Sequence, residues 1–434
     1  MIARLKTILY AVRSSLWALP LAMVLAAAGL AYVTLQLRID LGKNPVWFLF
    51  SGSGNQAPQF LSSLMTAMIT MATLAISITM VVLTLAAQQL GPRLIRNFMR
   101  NRRTQVSLGL FIGTVVYLVL VLRSAYSDRN GVPNLAVTGG TLLVLVCVIT
   151  LLLFVHHLAR SIVADNIIDE VGRELDGSIA RLLPAKEEDK QLAPPKRRGK
   201  EKPVPVAQGG YVQAIDYRSI ANAAAQADAV VALKVRAGHH VIAGEIAAAV
   251  TPVSHISDAL VRAILQGVVI GSERTTVQDL EYSVRQMVEV ALRALSPGIN
   301  DVYTALAVIN RLTLSIRNMM MRGPPHAVWE DVDGKPRVTA AVSTFEGVMD
   351  AAFNQIRQSG FGMPAVLIHL TDSLGQLLQQ ADAAHRPALE KHLDLVLAAG
   401  RRTIEDEADL KVLESRVREA KERAGTGDEA GTDD

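Results

Sequence analysis

The chain has 434 residues, half of them hydrophobic, with few aromatics and a net charge of +4. Two or three domains fit this length, and so small a net charge gives no general case for nucleic acid as a partner. The single cysteine, Cys147, excludes an internal disulfide, and its apolar surroundings mark it as a small buried side chain rather than a nucleophile.

The chain opens with Arg4, Lys6 and Arg13 ahead of an apolar run from Leu16 to Leu35. A secretory signal looks similar, and Ala26 to Ala28 would pass for its cleavage site, but the apolar part of such a signal spans about 7–15 residues. The longer run here predicts an uncleaved membrane helix. The following loop holds Trp47, Phe48, Leu49 and Phe50 and then Ser51-Gly52-Ser53-Gly54. Aromatics favour the membrane–water boundary, so an interfacial or re-entrant segment is expected there.

Between Lys43 and Arg93 there is no Asp, Glu, Lys or Arg. A helix from Phe60 to Leu90 is long enough to cross a hydrocarbon core of about 30 Å. Within it Ser62, Thr66, Thr70, Thr73, Ser77 and Thr84 recur at steps of four, four, three, four and seven residues, which places their hydroxyls on one face. Two uses fit such a stripe. Ser and Thr let helices approach closely and bond to a carbonyl one turn back; they also line polar pathways. Packing is the more ordinary use.

A third span is expected from Val106 to Leu122, with Gly109 and Gly113 as a G-x-x-x-G contact face, and a fourth from Leu135 to Leu158. Lys and Arg concentrate before the first span, between the second and third, and after the fourth, while the opposite side has only Arg38, Lys43, Arg123 and Arg129. By the positive-inside rule both termini and the C-terminal half face the cytoplasm of a bacterial inner membrane. Arg93, Arg96, Arg100 and Arg103 share one face of a short helix that Pro92 suits as a first-turn residue. The four arginines are expected either to contact anionic lipid headgroups or to act only as a topology signal.

After the fourth span, Asn166 to Leu183 reads as an amphipathic exit helix. His156 and His157, just ahead of it, point in different directions on a helix and make no shared metal site. Pro184 to Pro205 has five prolines and mixed charge and reads as a disordered linker. A small β module is expected over residues 206–255, with strands at Gly210–Ile215 and Val230–Val235. The glycine-punctuated stretch that follows looks like half of a biotinyl-type barrel, but no lysine stands at a hairpin tip, so no carrier role is assigned. Helices are expected over residues 256–422, interrupted by a hairpin that Asp333-Gly334 closes between Val328-Trp329 and Val338-Thr339, and an acidic disordered tail over 423–434. Glu281, Arg285, Glu289 and Arg293 are spaced as a ladder of opposite charges. The helix carrying them ends at Ser296-Pro297-Gly298, and Asn300 or Asp301 caps the next one.

Ala-Leu-Ser-Pro-Gly-Ile-Asn-Asp at 294–301, Arg-Thr-Thr-Val-Gln-Asp at 274–279 and Gly-Tyr-Val-Gln-Ala-Ile-Asp at 210–216 resemble an uncharacterised bacterial family of predicted membrane proteins, domain of unknown function 2254. Gly91-Pro92-Arg93 and Phe111-Ile112-Gly113 fit the same family, and Val302 stands where it commonly has Pro. The resemblance covers nearly the whole chain and implies an architecture, not a chemistry.

The expected fold is a membrane α-helical part of four transmembrane helices plus a cytoplasmic α+β domain with a small β module and a helical remainder. No H-E-x-x-H, G-x-S-x-G, C-x-x-C or G-x-x-x-x-G-K occurs, so no enzyme and no cofactor is expected. Asp279, Glu281, Arg285, Ser296, Asn300 and Asp301 make a polar corner that could converge as a pocket; caps and salt bridges are the plainer reading. The leading expectation is a homo-oligomer in the lipid bilayer whose second span lines a polar pathway gated from the cytoplasm. The alternatives are a membrane-anchored scaffold or sensor and, third, a membrane-tethered enzyme.

Overall fold

The computed structural model describes residues 17–37, 56–90, 101–127, 134–160, 164–186, 192–197 and 199–429. The aromatic loop at 47–54, the arginines at 93, 96 and 100, and the charged residues of the N-terminus lie outside them. The chain divides before Ala164 into two compact units.

The first unit holds four helices long and apolar enough to cross a membrane: α1 (Ala18–Gln36), α2 (Gln56–Leu90), α3 (Arg102–Ser127) and α4 (Asn134–Arg160). Helix α3 is central and packs on the other three. Its glycines explain why. A Cβ at Gly109 would stand 2.7 Å from Met23 Sδ and 3.0 Å from Pro20 Cα, and one at Gly113 would stand 3.3 Å from Ala27 Cβ. The G-x-x-x-G face therefore receives α1 at close range, as small residues do where no hydrophobic effect drives helices together. Tyr117 ties three helices: its hydroxyl donates to the Ala136 carbonyl of α4 (2.9 Å) and lies 3.0 Å from Thr34 Oγ1 of α1. Most of this core is apolar, with Leu61, Met68, Phe111, Leu118 and Val121 buried and Phe154 edge-on to Phe111, while Gln105, Ser107 and Thr114 of α3 are buried as well. Cys147 is buried there too, its sulfur 3.2 Å from Thr114 Oγ1.

The second unit starts with α5 (Ala164–Leu182), which buries Ile167, Ile168, Val171, Leu175 and Ile179. It packs on α8 (Leu280–Ala294) and α9 (Val302–Met320). Arg311 of α9 lies across Gly172, where any Cβ would overlap the guanidinium, and pairs with Asp176 at 2.5 Å.

Two small sheets follow. The larger has the order β1-β5-β3-β8-β7, from β1 (Lys202–Pro205), β5 (Ile246–Thr251), β3 (Val230–Leu233), β8 (Pro336–Thr339) and β7 (Val328–Glu330). The smaller is β4-β2-β6, from β4 (His240–Val241), β2 (Gly210–Ile215) and β6 (Val268–Gly271). Helices α6 (Tyr217–Gln226) and α7 (Asp258–Gly267) pack with them over a core of Val212, Ile215, Ile220, Val231, Val250, Leu260, Ile264 and Val338.

Three expectations need correction here. The end of the stretch read as linker is strand β1, because Val204 is apolar and buried, and Lys202 to Pro205 pair with β5 along a sheet edge, where proline costs little. The β structure does not stop at residue 255: β6 follows α7 directly, and β8 joins β3 in parallel, Val231 opposite Val338. The tail is helical as far as Glu429, since α13 spans Glu407–Glu429. The β7–β8 hairpin does have the expected register, Val328 opposite Thr339 and Trp329 opposite Val338, with Gly334 at φ +73. Lys234 is exposed just after β3, its amide bonded to Ala247, and so stands at no hairpin tip. Helices α10 (Phe345–Ser359), α11 (Pro364–Leu378) and α12 (Arg386–Thr403) complete the unit with α13.

Candidate functional site

The polar residues singled out in the sequence do not meet. Asp279 is the N-cap of α8, while Ser296, Asn300 and Asp301 follow its C-terminus. Fifteen helical residues separate them, about 22 Å at 1.5 Å per residue. The postulated pocket is thus two places at opposite ends of one helix.

At the far end the corner is built from local bonds. Ser296 Oγ donates to the Arg293 carbonyl (2.6 Å), the Asn300 amide donates to the Ser296 carbonyl, and the Asp301 amide donates to the Ala294 carbonyl. Asn300 takes the left-handed conformation, φ +51, which Asn tolerates better than most residues. Asp301 is the cap of α9: its Oδ1 accepts from the Thr304 amide (3.1 Å) and its Oδ2 from the Thr304 hydroxyl (2.6 Å). Those bonds hold its carboxyl below the ordinary carboxylate range. Replacing Asp301 with Ala is expected to cost about 0.5–2 kcal/mol. Asn300→Gly, which relieves the backbone, is expected to cost nothing measurable. Chemical denaturation of the detergent-solubilised protein compares the two.

At the near end a second cluster forms, only partly visible in the sequence. Arg274 donates from Nε (2.8 Å) and Nη2 (2.6 Å) to Asp279 Oδ2, while Asp279 Oδ1 accepts from the Tyr282 amide (3.0 Å). The Arg274 guanidinium also lies over the Tyr282 ring, 5.3 Å from its centroid. Glu281 does not pair with Arg285, which is exposed; it pairs with Arg236 of the β3–β4 turn at 2.6 Å. Arg236 donates in turn to Ser343 Oγ, just ahead of α10. Gly238, at φ +89, closes the turn against Asp279, and a Cβ there would overlap the carboxylate. Gln278 completes the join: its side-chain amide gives and receives a bond with the backbone of Ile215 in β2.

Burial pushes the Asp279 carboxyl up from its ordinary value, against the pull of Arg274. Burial pushes the neighbouring Tyr217 hydroxyl up to about 12, with Arg236 opposing. Burial, then the charge of Arg236, lowers His239. Every carboxylate oxygen of Asp279 is nevertheless taken by a donor. General acid–base work needs a carboxyl that a substrate can reach, and this one is locked. The cluster is a clasp that fixes the start of α8 to both β2 and the β3–β4 turn. Arg236, Gly238 and Ser343 escaped the sequence reading because they are brought in by tertiary structure. The glycine punctuation of this stretch marks a turn, but not the partner against which it closes.

Among the described residues no three His, Cys, Asp or Glu side chains gather as metal ligands. The groove lined by Val206, Ala207, Gln208, Leu265, Val268, Val269 and Ile270 holds no titratable side chain.

In the membrane unit, α2 turns its stripe outward. Thr66, Thr70, Thr73, Ser77 and Thr84 are exposed, as are Ser63 and Met80, whereas Ser62 is half-buried. The buried face is Leu61, Met68, Ala72, Ala75 and Val82. Thr66, Thr70 and Thr84 donate to the carbonyls of Ser62, Thr66 and Met80 at 2.9–3.0 Å. Their oxygens remain able to accept from outside. Of the four arginines expected either at headgroups or as a topology signal, Arg103 alone is described, exposed in the first turn of α3.

Four helices long and apolar enough to cross a membrane, followed by an α+β unit with two small sheets, define the class of a predicted helical membrane protein. The chain belongs to the family described as predicted membrane protein DUF2254, whose model matches residues 13–376. It is 32% identical over 440 residues to the uncharacterized protein Rv1290c of Mycobacterium tuberculosis and, to the same extent, to the uncharacterized protein Mb1321c of Mycobacterium bovis. In both cases 98% of this chain and 84% of the relative are covered. No solved structure matches the chain.

Proposed function

We propose that the protein assembles in the bacterial inner membrane from several copies that meet along α2, with both termini in the cytoplasm, and that the shared α2 faces line a polar pathway gated by the C-terminal unit. The reading involves no catalytic step. One observation carries it. Among the exposed positions of α2, 63, 66, 70, 73, 77 and 84 carry hydroxyls and, with Met80, follow alternating steps of three and four, flanked by exposed Ile69, Leu74, Ile76, Val81 and Leu85. That is the period of 3.5 that a left-handed seam between parallel helices requires. The core of a single bundle is apolar and leaves its polar stripe outside, so a pathway would form only between copies. Each hydroxyl already donates within its own helix or is free to turn, and presents its oxygen to the seam.

A second reading, a membrane-anchored scaffold or sensor, draws on a different observation: Ile299 and Tyr303 stand exposed together at the α8–α9 corner, Tyr303 at 85% of its surface. One experiment tests the pathway against simple bridging of helices by the same hydroxyls. Thr70→Val with Thr73→Val keeps shape and removes two hydroxyls. In a pathway this makes a hydrophobic constriction that gates by dewetting; flux of small ions through reconstituted vesicles falls while the oligomer persists. If the hydroxyls only bridge helices, each bond is worth about 0.6 kcal/mol; the oligomer loosens and wild-type vesicles are tight from the start. Tight wild-type vesicles would remove the pathway. A monomer in mild detergent and in nanodiscs would remove the assembly.

A further inference from the structure

His392 of α12 is wholly buried, its ring edge-on to Phe353 of α10 with centroids 6.1 Å apart. Its Nε2 lies 3.2 Å from Asp350 Oδ1, but off the line a hydrogen bond needs, and its Nδ1 has no hydrogen-bond partner among the described residues. Asp350 is already engaged. Its Oδ1 accepts from Asn354 Nδ2 at 3.1 Å and lies 3.5 Å from Lys391 Nζ. A neutral ring suits this place. An imidazolium would bring two N–H donors, and the one on Nδ1 would be buried without an acceptor, a costly arrangement.

The surrounding charges point the same way. From α10, Asp350 favours the charged ring and Arg357 opposes it; on α12 itself Lys391 opposes it; burial is the largest influence and holds the ring below its ordinary value of 6.5. On the other two helices packed on α12, several charged side chains have partners of their own. Asp372 of α11 faces Arg416 of α13, Glu414 of α13 takes Arg401, and Lys421 of α13 takes Asp394. His369 of α11 is bonded to Asn310. Asp350 is thus the carboxylate that stands against the ring, and Asn354 and Lys391 already engage it.

We propose that His392 is a pH-sensitive latch that holds α12 to α10 while neutral and loosens α12 from α10 when mild acid protonates it. The sign follows from linkage. A histidine whose folded value is depressed contributes stability that is full above pH 6.5 and is lost as pH falls below it, because the open state binds the proton more readily. The device is independent of any pathway through the membrane.

Hydrogen exchange of the full-length protein in nanodiscs tests it between pH 7.5 and 4.5, corrected for the intrinsic pH dependence of exchange. Opening of the α12 amides is expected to rise below pH 6.5, approaching about tenfold per pH unit for one proton, while α9 amides stay level. His392→Leu should flatten the profile. Should that variant fail to fold, Asp350→Asn decides: removing the carboxylate depresses the folded value further, so the rise should continue to lower pH before levelling. A wild-type profile flat across this range, protection that increases on acidification, an unchanged profile in His392→Leu, or an earlier plateau in Asp350→Asn would each overturn the latch.

Discussion

Asp279→Ala should be among the most damaging single changes in the C-terminal unit, costing on the order of 3–5 kcal/mol. Three losses coincide. The Arg274 guanidinium, 16% exposed, keeps its charge and loses its carboxylate. The first turn of α8 loses its cap, since the Tyr282 amide bonded Asp279 Oδ1. The turn around Gly238 loses the group it rests on. Most of the cost is the charge left behind, because breaking a buried pair is worse than never having built it. Asp279→Ala combined with Arg274→Met should therefore recover a large part of the loss, with about 0.5–2 kcal/mol remaining for the cap. Denaturant titrations of the single and double variants in detergent, set out as a double-mutant cycle, make the comparison. Equal losses in the single and double variants would mean that the ion pair itself carries little.

Gly238→Ala is the second large effect, and it strikes the same clasp from the opposite side. The residue has φ +89, where a side chain costs roughly 1–2 kcal/mol, and the new methyl would land on the Asp279 carboxylate, adding roughly 1–3 kcal/mol for overpacking. The two effects should not be additive. With Asp279 already removed, the methyl still meets the far end of the Arg274 side chain at 2.8 Å, which can swing aside, so little beyond the backbone penalty of Gly238→Ala should persist. Full additivity, read from the same titrations, would show that turn and carboxylate do not interact.

Much of this architecture was legible because membrane helices and caps depend on local pattern. The four apolar runs, the G-x-x-x-G face of α3 and the β7–β8 hairpin follow from spacing alone, whereas spacing left the cap of α9 open between Asn300 and Asp301, and the structure gives it to Asp301. What spacing could not say is which partner a side chain chooses. Glu281 and Arg285 are neighbours on a helix, yet Arg236, far away in the chain, reaches Glu281 in a half-buried setting where a charge-assisted bond is worth more than on an open surface. The stripe of α2 was visible, but its direction was set by the opposite face: Leu61, Met68, Ala75 and Val82 recur every seven residues and take the bundle contact. Strand β1 hid among prolines and charges, and β6 hid as four residues behind a helix, each too short to announce itself by alternation. The corner residues were singled out for polarity, and polarity at a helix end mostly serves the backbone.

The parallel contact of β3 with β8 has a consequence for how the chain is made. Val231 leaves the ribosome roughly a hundred residues ahead of Val338, an interval of about 5–20 s at ordinary bacterial elongation rates. Strand β5 can close one side of β3 almost at once. The other side must wait, an open row of amides and carbonyls on an apolar strand, while α8 and α9 are still being translated. Neighbouring ribosomes on one message would hold many such edges close together during that delay. Synthesis slowed between codons 300 and 338 should therefore lower the yield of folded protein more than an equal pause after codon 340.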